Sequence, residues 1–433
     1  MLPLRKLCLA LSVPAVLGVL VGLLLGSAAV WAPCAVVAAV GLALGLGSLP
    51  SLKSYQYTAW IIAAVVAAMI YPAAFSNWGP VELRHKWVVL LVVQTVMFGM
   101  GTQMSMKDFV GVLKMPWGVV VAVSCQFLVM PLAGWALTRF FSLPDEIAAG
   151  VILIGCCSSG LASNVMCYIA KANLALSITA TAITTLIAPI MTPFWMKILA
   201  GSLVEVRFLS MATEIVKIVI VPIGAALLHE YLKGALPAAK RRFALAEGAC
   251  AFGAGLIFAN RNAPWVAALS PDAGLGLELL GFLLGAVAFG GLYHRITRAL
   301  PKLDSYMPLL SMAGIVYFTT ITTAAGRNNL LLVGGVLILV AMLHNTAGYF
   351  FGYWLARLAR LDKASCRTVA IEVGLQNGGM ASGLAGAMGK LATVGLAAAV
   401  FSPWMNVSGS ILANLWRRRP VGSSDDSDCS AKS

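Results

Sequence analysis

Fourteen long apolar runs divide this chain, each closed by charge, glycine or proline. They lie near residues 7–26, 31–48, 58–75, 88–104, 116–139, 147–170, 172–199, 209–231, 243–260, 274–294, 306–325, 330–357, 368–388 and 391–416. A helix needs roughly 20 apolar residues to cross a hydrocarbon layer, and most of these runs reach about that length. They are rich in Ala, Gly, Leu and Val and lack the two-residue alternation of outer-membrane strands, so the pattern predicts an all-α membrane protein rather than a barrel.

Composition agrees. Of 433 residues, 60% are hydrophobic and only 11% charged, against ~25% charged in a soluble domain. The net charge of +14 comes from bases scattered singly at helix ends, which points to membrane orientation and not to nucleic acid. With a cytoplasmic N-terminus, 21 of the 30 Lys and Arg fall inside, among them Lys53, Lys240, Arg298, Arg367, Arg419 and Lys432. Both termini are therefore expected in the cytoplasm, with a multi-pass chain in the cell (inner) membrane. Arg5-Lys6 ahead of the first run, with Gly26-Ser27-Ala28-Ala29 after it, has the outline of a secretory signal. The run is longer than a usual signal core and a second run follows directly, which favours a hairpin. The nine cysteines lie mostly in apolar runs without paired spacing and read as small buried residues.

At an offset of 218 the chain matches itself. Gly134, Leu137, Arg139, Leu143, Val151 and Gly160 align with Gly352, Leu355, Arg357, Leu361, Val369 and Gly378. An odd number of helices separates the copies, so they cross in opposite directions, as in inverted-repeat transporters. Each copy leads into a polar, glycine-rich interruption: Gly155-Cys-Cys-Ser-Ser-Gly-Leu-Ala-Ser-Asn164 in the first, Glu372-Val-Gly-Leu-Gln-Asn-Gly-Gly-Met-Ala-Ser-Gly383 in the second. A broken helix in hydrocarbon persists only where its freed amides and carbonyls face protein, water or a ligand. Two breaks at corresponding places predict discontinuous helices crossing near mid-membrane, a place for a cation and an anion.

Among the acids Glu372 stands apart. Glu214 lies in a span with Lys217 three residues on as partner, but Glu372 sits inside an apolar run beside a break, with no base in its own helix beyond Arg367. A carboxylate there costs roughly 3 kcal/mol unless a cation or a proton neutralises it. Gln376, Asn164, Ser163, Ser177, Thr181 and Gln126 supply further intramembrane oxygens, the ligand type a hard cation such as sodium prefers; each also suits hydrogen bonding between helices. His344-Asn345 aligns with Gln126 in the repeat, with a packing role the simpler reading.

Met97-Phe-Gly-Met-Gly101, Gln126-Phe-Leu-Val-Met-Pro131, Ala162-Ser-Asn164, Ala175-Leu-Ser177 through Ala188-Pro189, Ala370-Ile-Glu-Val-Gly-Leu-Gln-Asn377 and Phe401-Ser-Pro-Trp-Met-Asn406 together resemble the bile acid:sodium symporter family, over roughly 58–231 and 306–416. The resemblance implies a ten-helix core of two inverted five-helix repeats, 58–199 and 209–231 plus 306–416. Added to it would be an N-terminal hairpin (1–57), an inserted hairpin (232–305) and a cytoplasmic tail (417–433), about fourteen helices in all. It implies one sodium site at Ser163, Asn164, Ser177, Thr181 and Glu372, and a second at Gln126, Glu372, Gln376 and the carbonyls of Val373 and Leu375. Substrate would lie near Leu161, Asn377, Met405 and Asn406.

Leu161 stands where the family often has Thr, and Met405 where it often has His, so both departures remove polar contacts and leave the substrate open. The expectation is a symporter of a small organic anion with two sodium ions and no protein partner. The alternatives are proton coupling through Glu372, sodium-independent carriage on the same fold, and an intramembrane enzyme. The four scattered histidines show no metal spacing to support the last.

Overall fold

The structure, a computed structural model, describes residues 2–49, 52, 55–419 and 421. Lys53, Lys432, Cys429 and most of the 417–433 tail lie outside the described residues. The chain is helical almost throughout, and among the described residues ten helices are long and apolar enough to cross a membrane.

Helices α1 (Leu2–Leu24) and α2 (Ala28–Gly45) pack against each other, the chain turning at Gly26 with φ +63°. Their backbones approach closely at glycine: a Cβ on Gly22 would meet the Trp31 amide nitrogen at 2.5 Å and one on Gly41 the Cys8 carbonyl oxygen at 2.9 Å. Small residues serve helix pairing in lipid in this way. The hairpin docks on α3 (Gln56–Ile70), where Gln56 Nε2 donates to the Ala43 carbonyl at 3.1 Å. A small β-hairpin, β1 (Asn77–Trp78) with β2 (Val81–Glu82), leads to α4 (Lys86–Gly101). α5 (Met106–Lys114) then turns away from α4 by 57°, its start fixed by a capping box between Ser105 and Asp108.

The next helices are α6 (Pro116–Phe140), α7 (Asp145–Cys156), α8 (Ala162–Ile169), α9 (Leu174–Leu199) and α10 (Phe208–Ile215). α10 runs through a π-helical stretch, Val216–Ile220, into α11 (Val221–Gly234). Next come α12 (Pro237–Ala259), the short α13 (Pro264–Ala267) and α14 (Pro271–Ala299). α15 (Leu303–Ala325), α16 (Arg327–Leu358), α17 (Lys363–Gly374), α18 (Gly378–Ala387) and α19 (Val394–Arg417) complete the chain. The apolar runs at 147–170 and 368–388 are each divided in two, at the glycine-rich interruptions.

α12 and α14 pack on each other, and α14 packs on α11. The expected Glu214–Lys217 pair is present at 2.6 Å, and α14 adds a second acid, Glu278, 3.2 Å from the same ammonium. Lys217 is buried, and it sits in the π-helical stretch. The main apolar core gathers α4, α6 to α9 and α17 to α19. Residues of both interruptions lie inside it.

Candidate functional site

At the two interruptions the backbone would be left without partners, and each supplies the other's. Gly160 N donates to the Leu375 carbonyl at 2.9 Å, Asn377 N donates to the Ser158 carbonyl at 2.9 Å, and Ser159 and Gln376 form an antiparallel bridge. The freed groups are satisfied by protein, as hydrocarbon requires. Gly160 is needed here, since a Cβ would sit 2.8 Å from the Gln376 carbonyl oxygen. Asn345 of α16 completes the seam: its Nδ2 donates to the Gly374 carbonyl at 2.7 Å, and its Oδ1 accepts from Ser408 at 2.6 Å.

Glu372, in the last turn of α17, is 1% exposed and turns its carboxylate toward α8 and α9. Oε1 accepts a short hydrogen bond from Ser177, and Oε2 accepts from Thr181 at 2.8 Å. The Asn164 amide oxygen lies 2.8 Å from Ser177 Oγ and 3.3 Å from Thr181 Oγ1, and Ser163 Oγ lies 3.4 Å from Thr181 Oγ1 while donating to the Gly160 carbonyl at 2.8 Å. Ser177 and Thr181 carry one hydroxyl proton each. Hydroxyl and amide oxygens thus crowd around the carboxylate from α8 and α9. Among the described residues no Lys, Arg or His pairs with Glu372. A buried carboxylate among surplus oxygen lone pairs suits a desolvated hard cation or a proton.

Gln126 and Gln376 form a second buried group beside the crossing. Gln126 Nε2 donates to Gln376 Oε1 at 2.7 Å and to the Cys157 carbonyl at 2.9 Å, and Gln376 Nε2 donates to the Val373 carbonyl at 2.6 Å. The Leu375 carbonyl is taken by Gly160 N and by Ser159 Oγ at 3.3 Å. The Glu372 carboxylate has its hydrogen bonds with Ser177 and Thr181 and none with either glutamine. Only its backbone carbonyl takes part on this side, accepting from Ser159 at 2.9 Å.

Met405 Cε lies 3.9 Å from the Cβ position of Gly378, the residue that follows Asn377. Asn377 Oδ1 caps α18 by accepting from Met380 N at 2.9 Å, and its Nδ2 is buried without a partner. Asn406 Nδ2 turns back to the Ser402 carbonyl at 2.8 Å. Leu161 stands at the start of α8, half-buried against the core. Sequence reasoning did not single out Ser159 or assign Asn345 its place; the Ser-Ser-Gly break and the polar pair His344-Asn345 inside an apolar run were the available signals. His344 Nε2 lies 2.8 Å from the Met130 carbonyl, a contact between α16 and α6.

Known proteins carry the same sequence pattern. The profile of the Sodium Bile acid symporter family matches residues 89–259. An uncharacterized sodium-dependent transporter of Bacillus subtilis is 31% identical over 364 residues, covering 83% of this chain and 90% of its own. The human ileal sodium/bile acid cotransporter is 30% identical over 319 residues, 72% of each chain.

Proposed function

Because the chain belongs to the sodium bile acid symporter family, whose members are transporters and not enzymes, we propose that it is a sodium-coupled symporter of a small organic anion. The observation that carries this reading is the Glu372 cluster. A carboxylate 1% exposed, ringed by side-chain oxygens and with no basic partner among the described residues, is completed by a bound cation.

In this proposal one sodium is held by Ser163, Asn164, Ser177, Thr181 and Glu372. The second takes Gln126, Gln376, Glu372 and the carbonyls of Val373 and Leu375, which asks the two glutamines to release each other. Sodium neutralises Glu372 and pins α7–α8 against α17–α18, and the anion then binds near Leu161, Asn377, Met405 and Asn406, where the unpartnered Asn377 amide offers a donor. The core is two inverted five-helix repeats with the hairpins at 1–57 and 232–305 added outside it, and it exposes the site to either side in turn.

Two sodium ions with one monoanion carry one net charge inward, worth about 2.3 kcal/mol per 100 mV. Leu161 and Met405 favour an anion with an apolar group beside its charged head. Small 2-oxo or hydroxy acids, pantoate, sulfonates and steroid conjugates are the classes to screen. The test is a thermal-shift screen of the purified chain against organic anions in sodium or potassium. A ligand that stabilises only in sodium supports the reading; stabilisation that is equal in the two salts for every binding anion overturns it.

A further inference from the structure

A second polar site lies away from the crossing, where the C-terminal ends of α16 and α19 meet the start of α17. A cavity of about 390 Å³ opens there, lined by Arg367, Lys363 and Arg419 together with Tyr353, Trp354 and Trp416. Arg367 enters it from α17 and Arg419 from the end of α19, and Asp362, the acid at the start of α17, is engaged in capping that helix through Ser365 N at 2.9 Å. Arg367 is buried at 4% exposure. Its guanidinium donates to the Arg419 carbonyl at 2.7 Å and lies 5.5 Å from the Trp416 ring centroid. Among the described residues no carboxylate pairs with it.

Below this basic corner the surface is apolar in two rows. Phe350, Trp354 and Leu358 are exposed at four-residue spacing on α16, and Ile411 and Leu415 at the same spacing on α19. Trp354 and Leu415, one from each row, both line the cavity, so the two rows meet there. A positive, aromatic-walled cavity at a helix end, continued by a lipid-facing apolar track, matches both parts of one molecule.

We propose that this corner binds an anionic phospholipid, the headgroup phosphate among Arg367, Lys363 and Arg419 and an acyl chain along the Phe350–Trp354 and Ile411–Leu415 rows. Clusters of bases at a membrane surface attract anionic lipid in this way, and tryptophan and tyrosine favour the headgroup level.

Native mass spectrometry of the full chain in detergent, with phosphatidylglycerol or phosphatidylcholine of the same acyl chains, tests the proposal. The expected result is retention of phosphatidylglycerol over phosphatidylcholine. A Lys363→Gln, Arg419→Gln double variant should lose affinity by roughly five-fold per charge, and Trp354→Ala should lose it with all charges kept. An unchanged melting temperature of the variants in phosphatidylcholine nanodiscs shows that the fold persists. Equal retention of the two lipids, or full retention by the double variant, overturns the proposal. So does displacement of the lipid by inorganic phosphate at equal concentration, which would make the site one for free anions. Retention that appears only when residues 422–433 are removed would assign the corner to the acidic end of the chain instead.

Discussion

Thr181 and Glu372, 191 positions apart in sequence, are joined by a 2.8 Å hydrogen bond from the hydroxyl to Oε2. The bond ties α9 to α17 at the one place where a buried carboxylate has no basic partner among the described residues. Replacing Thr181 by Val keeps the shape and removes the donor and the oxygen. The loss of a hydrogen bond to a charged group is about 1.5 kcal/mol, so half-saturation by sodium should rise on the order of ten-fold in proteoliposome uptake. An unchanged sodium dependence would remove Thr181 from the ion site.

Glu372→Ala should abolish sodium-dependent uptake, and Glu372→Gln, which keeps the volume, should fold yet lose the rise in melting temperature that sodium gives the unaltered chain. If Glu372→Gln is stabilised by sodium as well as the parent is, the carboxylate does not bind the ion. If the parent drives uptake equally with an imposed proton gradient in sodium-free buffer, coupling belongs to the proton.

Gly160→Ala tests the crossing itself. The added Cβ would stand 2.8 Å from the Gln376 carbonyl oxygen, a backbone atom that cannot swing aside. Overpacking of this kind costs about 1–3 kcal/mol, which thermal unfolding should register as a lower melting temperature. Gly224→Ala is the control, because nothing lies within 4 Å of its Cβ position.

Lys217 holds two carboxylates, Glu214 at 2.6 Å and Glu278 at 3.2 Å. Lys217→Met leaves both acids facing one another without a cation. The cost should be about 2–3 kcal/mol, below the ~3–5 of a fully buried pair, because both acids are partly exposed. Adding Glu214→Gln and Glu278→Gln should recover most of the lost melting temperature. If it does not, the role of Lys217 is in the π-helical turn and not in the charges.

The breaks and the acid were legible in the sequence because both violate their surroundings: glycines and hydroxyls inside apolar runs, and one carboxylate in hydrocarbon without a local base. Ser163, Asn164, Ser177 and Thr181 around Glu372 were readable by resemblance and for their oxygens, and the structure brings them together. Other features depend on distant partners. Asn345 closes the Gly374 carbonyl from another helix, Glu278 reaches Lys217 from α14, and Ser159 bonds two carbonyls of α17's end. None of these contacts leaves a periodic trace in the local sequence. The helix α5 was missed because its nine residues carry Lys107, Asp108 and Lys114 and lie beyond the apolar run that ends at 104.

The pairing of the two breaks also bears on how the chain is made. The amide of Gly160 and the carbonyl of Ser158 find their partners in Leu375 and Asn377, which leave the ribosome more than two hundred residues later. At about 5–20 residues per second that is a delay of roughly ten to forty seconds. Through that interval the first break stands in the membrane with its polar backbone unmatched. A nascent chain stopped before residue 375 should therefore hold 157–161 open to water or to an insertion chaperone, and the arrival of residues 375–377 is what closes it.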